Sequence, residues 1–268
     1  LFSFEFHHIF DFGLEGLLNT QALLDKYSIK YFGAGINKKQ AIQPAIINVK
    51  NYTIGLLGFT FTSGAEKNKA GVAYLYDDSV DIAIKKLKDK VDFIIVMPHS
   101  GIELYEYPLE RDKKVYRKMI ELGADLVVGS QPHCVQARET YLNKNIYYST
   151  GDLLFDHFHD ETWADFNSDI SHVAKYSLMP NRDLPLYSIM IIVDIINDKL
   201  VVNHRPIYNE NGFNPILLKS NKKSDWEEKF ELLNYKFQND LTVKRKSQQI
   251  EKKLIKDLNN RGIINSNV

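Results

Sequence analysis

Two uninterrupted apolar runs constrain this chain most: Phe93-Ile94-Ile95-Val96-Met97, and Leu126-Val127-Val128 after Asp125. Both consist of β-prone residues with no polar alternation, so each reads as a strand covered on both faces, as in a parallel sheet packed between other layers. Each run stops at a polar cluster. Pro98-His99-Ser100-Gly101-Ile102-Glu103 follows the first, and Gly129-Ser130-Gln131-Pro132-His133 follows the second. Loops beyond the carboxyl ends of such strands are where α/β folds carry their ligands and chemistry. The two clusters are therefore expected to meet at one edge of a sheet.

The pattern on either side supports this layout. Leu14, Leu17 and Leu18, then Leu23 and Leu24, predict a helix over Leu14–Tyr27 after Gly13. Ala45–Val49 and Thr53–Phe61 flank a polar Lys50-Asn51-Tyr52 and read as a β-hairpin. Val80, Ile84 and Leu87 predict a helix over Asp78–Lys90. A helix from about Leu109 to Leu122, ended by Gly123, joins the two buried strands into a βαβ unit. A short strand over Asn145–Ser149 ends in Thr150-Gly151-Asp152, and the stretch from His157 to Pro185 is polar and irregular. Leu186–Ile195 and Lys199–Ile207 predict a second hairpin around Asn197-Asp198.

Beyond Gly212 the texture changes, which divides the chain into a body over 1–215 and a charged helical tail over 216–268. From Ser224 the tail places Trp226, Phe230, Leu233, Phe237 and Leu241 on one helical face, as in a helix docked on the body. The stripe lapses at Lys244-Arg245-Lys246-Ser247, where a bend or stop is expected.

The 268 residues, 44% hydrophobic and 25% charged, are enough for one large globular body or two small ones. Lysine plus arginine equal aspartate plus glutamate at 34 each, so no global field draws the chain to nucleic acid or to an anionic membrane. The single Cys134 rules out an intrachain disulfide and a cysteine-built zinc site, and it reads as a buried packing residue rather than a ligand or nucleophile. The longest apolar run, Leu186 to Ile196, is too short to span a bilayer and contains Asp194. The chain opens on Leu1 rather than Met, and residues 1–10 lack the signal-peptide pattern, so a preceding segment carrying any targeting information is expected.

A lone histidine at the end of a buried strand is ordinarily a satisfied packing residue. His99 is not alone. Glu103 stands four residues on, His133 closes the second cluster, and His7-His8 with Asp11 forms a third polar group near the start. Imidazole and carboxylate together suit a divalent transition metal, so a shared metal or catalytic site is the sharper reading. Asp152, at the end of the next strand, could fix a histidine's tautomer or satisfy its own turn. His157 and His159 read as solvated, and His172 and His204 as surface or packing residues.

Taken in order, these segments form a recognisable set. His8-Ile-Phe-Asp11-Phe-Gly13-Leu-Glu-Gly16-Leu-Leu-Asn-Thr20, Phe32-Gly33-Ala34-Gly35, His99-Ser-Gly101-Ile-Glu103, Gly129-Ser-Gln131-Pro132-His133 and Tyr148-Ser149-Thr-Gly151-Asp152-Leu-Leu-Phe155 together resemble the bacterial CapA/PgsA family. That family is associated with poly-γ-glutamate capsule synthesis. The resemblance covers residues 8–156, fits the later hairpin loosely, and leaves the tail unsigned.

The resemblance implies an α/β calcineurin-like metallophosphatase fold, two facing β-sheets flanked by helices, here lacking its N-terminal part. It places His7, His99 and His133 at metal-ligand positions, and His8, Asp11 and Glu103 at catalytic ones, with Gln131 and Asp152 in support. The implied cofactor is a divalent metal ion, with Mn, Zn or Fe suited. The chain departs from the family at His7, where asparagine is usual, and at Gln131, where many members carry histidine. The expected function is synthesis or export of a γ-glutamyl polymer by a metal-dependent hydrolase or transferase. The alternatives are a non-catalytic assembly subunit and a general phosphoesterase acting on a phosphorylated substrate. Expected partners are the polymer and other capsule-synthesis subunits, not nucleic acid. The expected location is the bacterial cell envelope, reached through the missing front segment.

Overall fold

A computed structural model of the chain describes residues 1–4, 7–62, 64–154, 186–210 and 214–260. The chain begins with β1 (Phe2–Ser3), a 3-10 turn at His7–Phe10 and helix α1 (Gly13–Lys26). Short strands β2 (Tyr31–Phe32) and β3 (Ala34–Gly35) and the single-turn helix α2 (Lys38–Ala41) lead to the hairpin of β4 (Ala45–Val49) and β5 (Tyr52–Thr60). Then come β6 (Gly71–Val72), α3 (Ser79–Leu87), β7 (Phe93–His99), α4 (Glu110–Leu122) and β8 (Leu126–Val128). A hairpin of β9 (Arg138–Tyr141) and β10 (Lys144–Tyr147) follows. Last are β11 (Tyr187–Ile196), β12 (Lys199–Glu210), β13 (Asn214–Leu217), α5 (Ser220–Asn239) and α6 (Leu241–Asn260).

The main sheet has six strands in the order β4-β5-β7-β8-β10-β9. Its four central strands are parallel, and both edge strands run antiparallel to their neighbours. The two apolar runs are adjacent strands here, with Ile95 opposite Leu126 and Val96 opposite Val127. On one face, Leu57, Phe59, Ile94, Val96, Val127 and Ile146 pack against α3 and α4 through Val80, Ile84, Leu87, Tyr116 and Met119. On the other face, Ile54, Leu56, Phe93, Ile95, Leu126 and Tyr147 meet the second sheet, of order β11-β12-β13. Alternate residues Ile189, Ile191, Val193 and Ile195 of β11 turn toward that interface, the two-residue period of a strand covered on one side. Two facing sheets with helices on the flank are thus the observed α/β architecture.

The helices and hairpins expected from the sequence form close to their expected bounds. Asn197 and Asp198 both take positive φ, 51° and 59°, the mirror-type turn that suits the twist of β11 and β12. Beyond that pattern lie the two-residue strands β1, β2, β3 and β6 and, in the two larger sheets, β9 and β13. Arg138-Glu139-Thr140-Tyr141 has no apolar run, yet it pairs with β10 across Leu142-Asn143. Its open edge is covered by α5, whose Asn234 Oδ1 accepts the Arg138 N–H at 2.8 Å.

The tail docks as expected, with differences in detail. Its first helix starts at Ser220 rather than Ser224, and Trp226 and Phe230 enter the core between the sheets. Phe237 and, from α6, Ile250 enter the core on the helical side, so the tail closes the end of both layers. The break falls at Asp240, not at Lys244–Ser247. The Asp240 carboxylate accepts the N–H groups of Thr242 at 2.8 Å and Val243 at 3.3 Å, capping the new helix. Leu241, expected on the packed face, is 66% exposed because it opens the second helix instead of continuing the first. No described helix is long and apolar enough to cross a membrane.

Candidate functional site

Three adjacent strand ends make the site. His99 ends β7, the loop after β8 carries Ser130, Gln131 and His133, and Asp152 lies beyond β10. Backbone bonds stitch the first two loops together: Ser100 N–H donates to Ser130 O at 3.1 Å, Ser130 N–H to Pro98 O at 3.0 Å, and Leu104 N–H to Pro132 O at 2.7 Å. Gln136 adds a side-chain clamp, its Nε2 donating to Tyr105 O at 2.7 Å and Tyr107 O at 3.1 Å.

Two glycines permit this approach. A Cβ on Gly129 would lie 2.1 Å from the carbonyl oxygen of Tyr148. Gly101, at φ 134°, would place one 2.7 Å from the Pro132 ring. Gln131, His133 and Leu104 also hold positive φ, at 99°, 54° and 54°. Such backbone conformations cost energy in residues with side chains and gather at sites where geometry is over-determined.

Each site histidine has its Nδ1 engaged by oxygen. His99, 2% exposed, holds Nδ1 2.9 Å from Ser130 Oγ. His133 holds Nδ1 2.9 Å and 3.1 Å from the two carboxylate oxygens of Asp152. The Asp152 backbone is held in turn, since Asn209 of β12 donates Nδ2–H to its carbonyl at 3.0 Å. Burial disfavours a charged His133, but the hydrogen bond and charge of Asp152, with the charge of Glu103, outweigh it and raise its pKa above 6.5. The structure therefore brings His99, Gln131, His133, Asp152 and Glu103 to one sheet edge.

Beneath His99 lies a buried polar cluster that sequence reading missed. Ser100 Oγ–H donates to Asp112 Oδ1 at 2.8 Å, and the Tyr76 hydroxyl bonds to the same carboxylate and sits 2.7 Å from Ser100 Oγ. Asp112 is 2% exposed, and burial raises its pKa against the opposing pull of Arg111, Tyr76 and Ser100. Nothing in the charged Glu110-Arg111-Asp112 run marks one carboxylate as buried. Ser130, by contrast, stands inside one of the two polar clusters that follow the apolar runs.

The N-terminal group is exposed. His8 Nδ1 lies 2.9 Å from Asp11 Oδ2, with side chains 67% and 56% exposed. The side chain of His7 lies outside the described residues, as do His157, His159 and His172. His204 packs against Trp226, Phe230 and Tyr147. Cys134 is fully buried, and burial holds its thiol pKa well above the ordinary value, which suits packing rather than ligation.

Among the described residues, no three His, Cys, Asp or Glu side chains are grouped to hold a metal ion. The donor types nevertheless fit part of a divalent centre. Two imidazoles with oxygen-anchored Nδ1 atoms stand on neighbouring strand ends, the orientation that second-sphere oxygens impose on metal-ligating histidines.

Fold and site together define a two-sheet α/β sandwich protein with paired histidines at the ends of its parallel strands. Residues 7–157 match the model of the bacterial capsule synthesis protein family PGA_cap, and the chain belongs to that family. It is 32% identical over 155 residues to the PGA biosynthesis protein CapA of Bacillus subtilis (strain 168), a match covering 56% of this chain and 41% of that protein. It is 30% identical over 183 residues to the capsule biosynthesis protein CapA of Bacillus anthracis, covering 65% and 43%. The chain thus spans less than half the length of these relatives. Among solved structures, a novel phosphatase of Mycoplasma pneumoniae aligns with a TM-score of 0.44 and 11% identity over 78% of this chain and 70% of that one.

Proposed function

We propose that this chain acts in the synthesis or export of a capsular γ-glutamyl polymer, with the sheet edge at the ends of β7, β8 and β10 as its working site. The observation that carries the proposal is the pair of anchored histidines, His99 on Ser130 and His133 on Asp152, inside the stretch that matches the capsule family. His99 and His133 would hold a divalent ion such as Mn, Zn or Fe through Nε2, with His7 as a further ligand. When bound, such an ion supplies Lewis-acid polarisation of a carbonyl or phosphoryl oxygen.

The chain's own residues have separable roles in this reading. Asp152 fixes the His133 tautomer, Ser130 orients His99, and Gln131 and Glu103 line the same edge. His8, with Asp11 on its Nδ1, is the proton-handling group. A second reading, a subunit that holds polymer or partner without catalysis, draws on Gln131, a weak metal ligand standing where many members of the family carry histidine.

The test is His99→Ala in the full-length protein, followed by metal content and by capsule polymer made in cells at wild-type protein levels. Loss of both supports the metal-dependent reading. Normal polymer with lost metal leaves the assembly reading.

A further inference from the structure

Helix α6 is two-faced in a way that the family match, which ends at residue 157, leaves unexplained. Its inner face is fixed to the body. Ile250 is buried, Ser247 Oγ lies 2.7 Å from the Tyr105 hydroxyl, and Glu251 Oε1 accepts the Arg111 N–H at 3.0 Å. The first contact falls on the segment after His99 that carries Glu103, and the second on the first turn of α4, into which that segment leads. The outer face presents Arg245, Lys246, Lys252, Lys253 and Lys256, all exposed. Helical spacing puts Arg245, Lys252 and Lys256 on one line and Lys246 with Lys253 on the next, over roughly 16 Å of axis.

None of these cations pairs with a carboxylate among the described residues, although the chain as a whole is balanced in charge. Glu251 of the same helix is turned inward, onto the Arg111 N–H. Like charges three and four residues apart oppose helix formation, so the stripe is a local cost offset by the packing beneath it. An anionic partner laid along the helix would relieve that cost.

We infer that the outer face of α6 is a cationic track for a linear polycarboxylate, which holds the polymer beside the Glu103 loop. The inference rests on the γ-glutamyl polymer reading proposed above. A γ-linked polyglutamate leaves one free carboxylate on every residue, a row of anions matched to a row of cations. The face carries no aromatic side chain on which bases could stack and is lysine-rich rather than arginine-rich, which argues against nucleic acid. Its apolar side is spent on the body, so no buried anchor remains for a lipid surface. Each exposed pair is weak and screened, so binding must come from many pairs at once and fall with salt.

The test uses the full chain and labelled poly-γ-glutamate, followed by fluorescence anisotropy at low and at physiological ionic strength. Three proteins are compared: the unaltered chain, Arg245→Glu with Lys252→Glu and Lys256→Glu, and a control with Lys67→Glu, Lys86→Glu and Lys90→Glu. The control makes a charge change at exposed lysines elsewhere, and matching unfolding curves verify both folds. The expected result is salt-sensitive binding by the unaltered chain and the control, a loss of at least about tenfold in the α6 variant, and no competition by free glutamate. Equal polymer binding by the α6 variant and the control would overturn the track while leaving the capsule function standing, since that function is read from polymer made in cells with His99→Ala. Absence of polymer binding by all three also overturns it. Equal or tighter α6-dependent binding of duplex DNA or of phosphatidylserine vesicles overturns the polycarboxylate assignment.

Discussion

Asp152 grips the Nδ1 atom of His133 from a neighbouring strand end, with carboxylate oxygens at 2.9 Å and 3.1 Å. The two residues are brought together because β8 and β10 are hydrogen-bonded neighbours in the main sheet. The contact favours the protonated ring and raises its pKa against the opposing effect of burial.

Asp152→Asn is therefore expected to lower the His133 pKa, measured by NMR titration of the metal-free chain. A raised folded pKa stabilises the fold below the unfolded value of 6.5 and ceases to do so as pH rises through the folded value. The stability gap between wild type and variant should accordingly widen as pH falls through that window. A constant gap would remove Asp152 as the cause.

His204 behaves in the opposite sense. Burial, with the charge of Arg138, holds its pKa below 6.5, so the neutral ring is favoured against Trp226 and Phe230. Stability from this group is complete above the unfolded value and is lost as pH falls toward the folded one. Urea unfolding midpoints should drop across that interval in the wild type, and His204→Gln should flatten the drop.

The tail is held by aromatic packing, and Phe230 stacks on Trp226 at 4.8 Å between ring centroids and is 4% exposed. Phe230→Ala should cost about 3–5 kcal/mol of unfolding free energy, the range for emptying a buried aromatic position. Denaturant titration gives the number directly. A change under about 0.5 kcal/mol, typical of surface positions, would contradict the docking.

At Gly129 the obstacle to a side chain is backbone, the carbonyl of Tyr148, which cannot swing aside. Gly129→Ala should destabilise by roughly 1–3 kcal/mol or more through forced backbone movement. It should also shift the NMR signals of His99 and His133, whose loops meet there.

If the site is catalytic, His8→Ala should leave metal content nearly intact and reduce turnover by about 10²–10⁴-fold, the usual contribution of a proton-transfer group. His99→Ala should remove both. Metal analysis beside a polymer assay on the full-length protein separates the two, and equal metal loss in both variants would make His8 a ligand.

The order of residues alone determines much of this protein. The unbroken runs at Phe93–Met97 and Leu126–Val128 announce buried parallel strands, and the helical spacing of Val80, Ile84 and Leu87 places α3, because periodicity is a local property that burial imprints on the chain. The clusters around His99 and His133 are visible for the same reason, each lying directly after a readable strand. The strand Arg138–Tyr141 is not legible, since its stability comes from β10 on one side and Asn234 on the other rather than from its own residues. The helix break at Asp240 is masked by a stripe that continues past it, and only capping geometry decides it. The grip of Asp152 on His133, Ser130 beside His99, and the burial of Asp112 within a charged run depend on which strands are neighbours and which loops they bring within about 3 Å, the reach of a hydrogen bond. Residue order carries the strands and helices; the meeting of side chains far apart in that order is decided by the sheet.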